Sequence, residues 1–215
     1  MKNIRNLLVA AVLSAAIWTA SAQQNWVGGG SSITWSNTVN WSPASVPDAT
    51  TLVVFPDTSG YTNVIGLVNN IVDTNGVFTI QRLSYTSATN THWHTTLIPD
   101  GSTLNVVDTG PNASLNVGNS SILTGAAYSN FTTIRGGGTL TVTNPEGSIN
   151  VWQVSRANLD MSGLSNFTAV VSNVLIGVNG TASSIAAGQT LSGSLILART
   201  NVINTGANPA VPGIL

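Results

Sequence analysis

The side chains best equipped for chemistry are few in this chain. His92 and His94 flank Trp93. In an extended segment alternate residues share a face, so both imidazoles would project together, a spacing that suits two ligands of a metal ion. The chain has no Cys and no third His, so a third ligand would have to be a carboxylate such as Asp73 or Asp100. The alternative is the ordinary polar face of a strand or loop, with Trp93 packed inward. That alternative is the one adopted here, and no metal or other cofactor is expected.

Acidic residues offer little more. A glycoside hydrolase of the usual kind needs two carboxyls about 5 to 9.5 Å apart. A polysaccharide lyase needs several carboxylates around Ca²⁺ and a basic residue to take a proton. Glu146 is the only Glu, the Asp residues stand singly, and the only Lys is Lys2. Arg135 beside Gly136-Gly137-Gly138 could serve as a base, but a surface Arg at a Gly-rich turn is the simpler reading. Neither glycine triplet carries the Lys of a phosphate-binding loop, and no G-x-S-x-G elbow or Ca²⁺-binding nonapeptide occurs. No catalytic residue is expected.

Three tryptophans, Trp26, Trp35 and Trp41, fall in one short stretch. Large rings could plug the open end of a core, or three exposed indoles could form a stacking platform for sugar rings. Exposed rings would favour sugar binding; buried rings would favour the plug.

The composition limits the partners. Only 6% of the 215 residues are charged, with six Lys and Arg against seven Asp and Glu, where an ordinary protein carries about a quarter. Six scattered basic residues cannot form a nucleic-acid-binding stripe. Roughly a third of the chain is Ser, Thr or Asn, polar without being ionic.

Met1 to Ala22 reads as a secretory signal: Lys2 and Arg5, an apolar stretch Leu7 to Ile17, and Ala20-Ser21-Ala22 as cleavage site. The apolar run is well short of the ~20 residues of a spanning helix. Cleavage would leave four basic and seven acidic residues, a net charge of −3. No later segment is long and apolar enough to span a bilayer. An exported chain without Cys must rely on packing and backbone hydrogen bonds rather than disulfides.

The elements that would position these groups are strands. Runs rich in Val, Ile, Leu, Thr and Phe, bounded by Gly, Asn, Pro or Asp, predict strands at Thr51–Phe55, Phe78–Leu83, Thr103–Val107, Ser114–Val117, Thr139–Thr143, Ser148–Val154, Phe167–Val171, Val174–Val178 and Leu191–Leu197. No later window has helical periodicity. Three similar pieces recur, around Leu115-Asn116-Val117-Gly118-Asn119, Leu175-Ile176-Gly177-Val178-Asn179 and Leu197-Ala198-Arg199-Thr200-Asn201, each an apolar strand running into a small residue and then Asn. Asn suits a corner because it tolerates left-handed backbone.

A stack of such units is a β-solenoid, here expected to be a right-handed parallel β-helix of roughly 20 to 25 residues per coil. Low charge fits, because stacked charges would meet their own copies about 4.8 Å away, whereas Asn, Ser and Thr can hydrogen-bond. A β-sandwich or jelly roll is the alternative.

The order Trp26-Val27-Gly28-Gly29, Trp35, Asn40-Trp41, Val46-Pro47-Asp48 and then Thr51–Phe55 resembles the start of bacterial proteins with autotransporter-associated β-strand repeats. Gly136-Gly137-Gly138-Thr139-Leu140-Thr141-Val142 is similar to a phrase of those repeats, and Asn158 to Thr168 to a phrase of large exported proteins of that kind. The resemblance implies an exported parallel β-helix, a passenger or surface region, without established catalytic residues.

The expected organisation is a signal peptide at 1–22, a Trp-rich cap at 23–60 and solenoid repeats at 61–215, a truncated N-terminal piece because Pro209 to Leu215 shows no clear cap. The expected function is structural or adhesive, at the cell surface, outer membrane or outside the cell, with surface glycans or other surface components as partners. The alternative is a carbohydrate-binding or polysaccharide-degrading β-helix, which would gather carboxylates with Arg135, or exposed aromatics, in one groove.

Overall fold

A computed structural model of the protein describes residues 22–56, 66–86, 91–119, 129–152, 156–178 and 192–206. The expected signal segment before Ala22 and the chain from Pro209 onward lie outside these residues. The fold is all-β. In chain order the strands are β1 (Ala22–Trp26), β2 (Trp41–Ser42), β3 (Thr51–Phe55), β4 (Asn70–Ile71), β5 (Val77–Ile80), β6 (Arg82–Tyr85) and β7 (His92–Leu97). There follow β8 (Thr103–Val107), β9 (Ala113–Val117), β10 (Asn130–Trp152), β11 (Asn158–Asp160), β12 (Leu164–Val178), β13 (Ser194–Ile196) and β14 (Thr200–Thr205). One 3₁₀ turn, Thr38–Asn40, precedes β2. Among the described residues no helix is long and apolar enough to cross a membrane.

The strands form one large curled, mixed sheet. Among the described residues the pair β1 and β2 is antiparallel, and the other strand pairs are parallel in three ladders. One ladder runs β1, β3, β6, β9 and the end of β10 to β12; another runs β5, β8, the middle of β10, β12 and β14; the last runs β4, β7, the start of β10, β11 and β13. The long strands β10 and β12 therefore serve more than one ladder. They merge runs that the sequence separates, Thr139–Thr143 with the described part of Ser148–Val154, up to Trp152, and Phe167–Val171 with Val174–Val178, across irregular register at Asn144/Ser148. Conversely, Phe78–Leu83 is split at Gln81.

Parallel register turns the alternation of each strand into columns. Val53, Leu83, Leu115, Ile149 and Val174 occupy successive positions of one interior column, as do Leu104, Leu140 and Phe167 of another. All of these are buried. Two outward columns are neutral and polar: Asn105 Nδ2 donates to Thr79 Oγ1 at 3.5 Å, Thr141 Oγ1 donates to Asn105, and Asn116 Nδ2 donates to Ser84 Oγ at 3.2 Å. Asn, Ser and Thr thus hydrogen-bond up the stack, as the low charge implied.

The spacing differs from expectation. Ile149 pairs with Val174, 25 positions on, and Leu97 with Arg135, 38 positions on, so successive passes are longer and more variable than 20 to 25 residues. The recurring pieces also resolve differently. Gly118 and Gly177 are the residues with left-handed backbone, at φ 89° and 69°, while Asn201 lies within β14. The expected corner Asn179 lies outside the described residues.

Gly136 to Gly138 sit where β10 passes the Ile98–Ser102 corner. A Cβ on Gly136, at φ 121°, would lie 2.0 Å from the Ile98 carbonyl oxygen, and one on Gly138 would lie 2.4 Å from that of Pro99. Gly110 has no such neighbour. Gly138→Ala is therefore expected to lower stability by about 1 to 3 kcal/mol, and Gly110→Ala to change it by less than about 0.5 kcal/mol. Urea titration of both variants against the parent measures the difference.

Candidate functional site

At the N-terminal edge β1 is flanked by β3 on one side and by β2 on the other, and the antiparallel pairing sets Trp26 opposite Trp41. Their rings meet edge to face at 4.8 Å, and Trp35 meets Trp41 at 5.3 Å. Phe55 lies within 6.2 Å of all three. The Trp35 indole N–H donates to Asn70 Oδ1 at 3.0 Å and that of Trp41 to the Trp35 carbonyl at 2.8 Å. Asn40, fully buried, holds the loop closed by donating to the Ser32 and Thr34 carbonyls and accepting from Gly30 N–H.

Trp26, Trp35 and Trp41 are 3%, 0% and 1% exposed. This corrects the sugar-platform expectation at these positions, since indoles buried against one another offer no face to a sugar. Of the two roles open to them, this burial favours the plug.

The histidine motif is also corrected. His92 and His94 do lie on one face of β7, stacked with ring centroids 5.9 Å apart, but that face is the interior. His94 lies 5.8 Å from the Tyr85 ring and 5.9 Å from Phe55. Burial pushes the Tyr85 phenol far above its usual pKa, and its hydroxyl pairs with Thr96 Oγ1 at 2.6 Å. Asp73 accepts from the Ser36 backbone and hydroxyl, well away in sequence and occupied in holding the cap loop. Among the described residues no group of three His, Asp or Glu side chains converges on a common point.

Trp93, expected to pack inward, faces outward instead, because β alternation puts it opposite its two histidine neighbours. Its register partner on β10 is Phe131, and the two rings stack nearly parallel, 8° apart in plane with centroids at 5.8 Å. Phe131 in turn pairs with Asn158 on β11, and Thr133 pairs with Thr95 and Asp160. With Arg135 these residues line an open groove of about 500 Å³. The Arg135 guanidinium donates to the Gly66 carbonyl at 3.2 Å, and Asp160 Oδ1 accepts from Ser162 N–H at 2.8 Å. The groove thus combines two aromatic rings, a guanidinium, a carboxylate and a primary amide.

Only register assembles this set. Trp93 and Arg135 were singled out in the sequence separately, while Phe131, Asn158 and Asp160 carried no local signal of a site. The visible clue would have been matching outward aromatics on β7 and β10, but neither β7 nor the start of β10 was expected as a strand.

A second polar cluster lies on another ladder. Arg82 Nε contacts Asp108 Oδ2 at 2.5 Å, with Asp108 buried. Burial raises the Asp108 pKa, but Arg82, the Thr109 N–H and the Gln81 amide outweigh it and hold the carboxyl below its ordinary value. Comparison with family models, curated proteins and solved structures returns no match.

Because its pKa is depressed in the fold, Asp108 contributes stability that is fully present above the unfolded value near pH 3.9 and is lost as pH falls through the folded value. Chemical unfolding at pH 7 and at points below pH 4 is expected to show this loss in the parent and a smaller one in Asp108→Asn. Trp35→Ala is expected to cost about 3 to 5 kcal/mol by emptying the plug, measured by the same unfolding at neutral pH.

Proposed function

We propose that the curled sheet is the body of a right-handed parallel β-helix, and that the protein is an exported, non-catalytic structural or adhesive element of the cell surface. The observation that carries this reading is the set of three parallel ladders, two of which carry interior columns of apolar residues and outward Asn, Ser and Thr that hydrogen-bond from strand to strand. Such stacking gives a long, neutral surface well suited to display and contact.

The resemblance to autotransporter-associated repeat proteins supports the same assignment. The Trp block belonging to that resemblance forms the plug, and its Gly-Gly-Gly phrase occupies the tight corner by Ile98. Chemistry in the groove argues for contact rather than catalysis. Hydrolysis of a glycoside by the usual route needs a second carboxyl within about 10 Å of the first, and Asp160 is the one carboxylate among the described groove residues.

Expression of the full chain in a Gram-negative host, with fractionation and N-terminal sequencing, tests the location. The expected product begins at Gln23 and lies outside the cytoplasm, with Gln23 to Asn25 of β1 still paired with β3. Uncleaved chain held in the cytoplasm overturns the exported reading. A crystal structure of the secreted product that showed two face-packed sheets would overturn the β-helix.

A further inference from the structure

We infer that the outward groove on β7, β10 and β11 is a binding site for neutral pyranose oligosaccharides, with Trp93 and Phe131 as its stacking platform. This inference rests on the adhesive reading and names the ligand class that such a surface would hold.

Sugar rings present two chemistries at once. Their C–H faces are apolar and pack on aromatic rings, while their edges carry rows of hydroxyls that both donate and accept. The groove offers a match for each. Trp93 and Phe131 supply a two-ring apolar surface across neighbouring strands, and Phe131 remains 38% exposed although it is a large aromatic. One row along, Thr133 and Asp160 are register partners, and Arg135 and Asn158 complete the rim.

These polar groups are planar or small and fixed by bonds of their own. Asp160 uses Oδ1 on the Ser162 N–H, Asn158 uses Nδ2 on Ser194 Oγ, and Arg135 uses one nitrogen on the Gly66 carbonyl. Each retains further acceptor or donor capacity. A held side chain loses little freedom when a ligand arrives, so its hydrogen bonds are gained at small entropic cost.

Charge then selects within the class. His94 borders the groove from its inward-facing position, and of the other lining side chains one guanidinium and one carboxylate balance each other, so neither a polyanion nor a polycation is favoured over a neutral chain. The volume of about 500 Å³ lies in the range of small-molecule sites. The groove is open rather than enclosed, as a site must be when its ligand is one stretch of a longer polymer.

Affinity electrophoresis of the full chain tests the inference. The gels contain hydroxyethylcellulose, xylan, galactomannan, β-1,3-glucan or, as the charged control, polygalacturonate. The expected result is retardation in at least one neutral gel, weakened by about tenfold or more in Phe131→Ala and Trp93→Ala, and retained in Phe131→Tyr. Asp160→Asn, which keeps an acceptor for Ser162, provides a variant that leaves the aromatic packing intact and is expected to weaken retardation as well.

Migration unaltered in every neutral gel overturns the inference. So does retardation by polygalacturonate alone, or neutral binding that all three weakening variants leave unchanged. Export is read separately: a secreted chain that ignores all the gels loses the sugar site and keeps the proposed function. A sugar-binding chain that stays in the cytoplasm does the reverse.

Discussion

Parallel in-register pairing places every side chain about 4.8 Å from its counterpart on the next pass, and most of the molecule follows from that proximity. Whatever a position carries must be compatible with what lies above and below it. Apolar residues satisfy this inside, where Val53, Leu83, Leu115 and Ile149 stack and bury one another. Outside, neutral side chains satisfy it by bonding up the column, as Asn105 does with Thr79 and Thr141. Charged side chains find other partners: Arg82 pairs with Asp108, Arg135 donates to the Gly66 carbonyl and Asp160 accepts from the Ser162 N–H. The 6% charged fraction is compatible with such columns.

The same proximity builds functional surface from residues that are unremarkable alone. Trp93 and Phe131 are far apart in the chain and neither is part of a motif with the other, yet register stacks them. Alternation then decides which side of the wall they serve. It sends His92 and His94 inward to Phe55 and Tyr85 and leaves the aromatic pair on the groove side. At the N-terminal edge pairing is interrupted instead. The antiparallel β2 turns the chain back, and three indoles cover the end of the core.

Strand identity was legible wherever a β-branched run was bounded by turn residues: Thr51–Phe55 and Thr103–Val107 were expected at the bounds observed. Segments of mixed composition were missed. His92–Leu97 has three Thr and His side chains on its inner face and reads as loop, and Asn158–Asp160 is held by its neighbours rather than by its own propensity. The plug was anticipated as one of two roles for the tryptophans, since spacing alone cannot reveal whether a ring is covered. The groove was hidden for a sharper reason. Its members belong together only if the length of each pass is known, and that length varies from 25 to 38 residues between the pairs Ile149–Val174 and Leu97–Arg135.

This variation is bounded, and the bound has a kinetic meaning. Each ladder contact closes a loop of about thirty residues, and closure entropy grows only as the logarithm of loop length. The entropic toll of adding a pass is consequently nearly constant, wherever along the chain it is added. In most β-rich folds the slow step is the search for distant partners. Here the parallel pairs each join strands 25 to 38 positions apart, a similar, moderate distance.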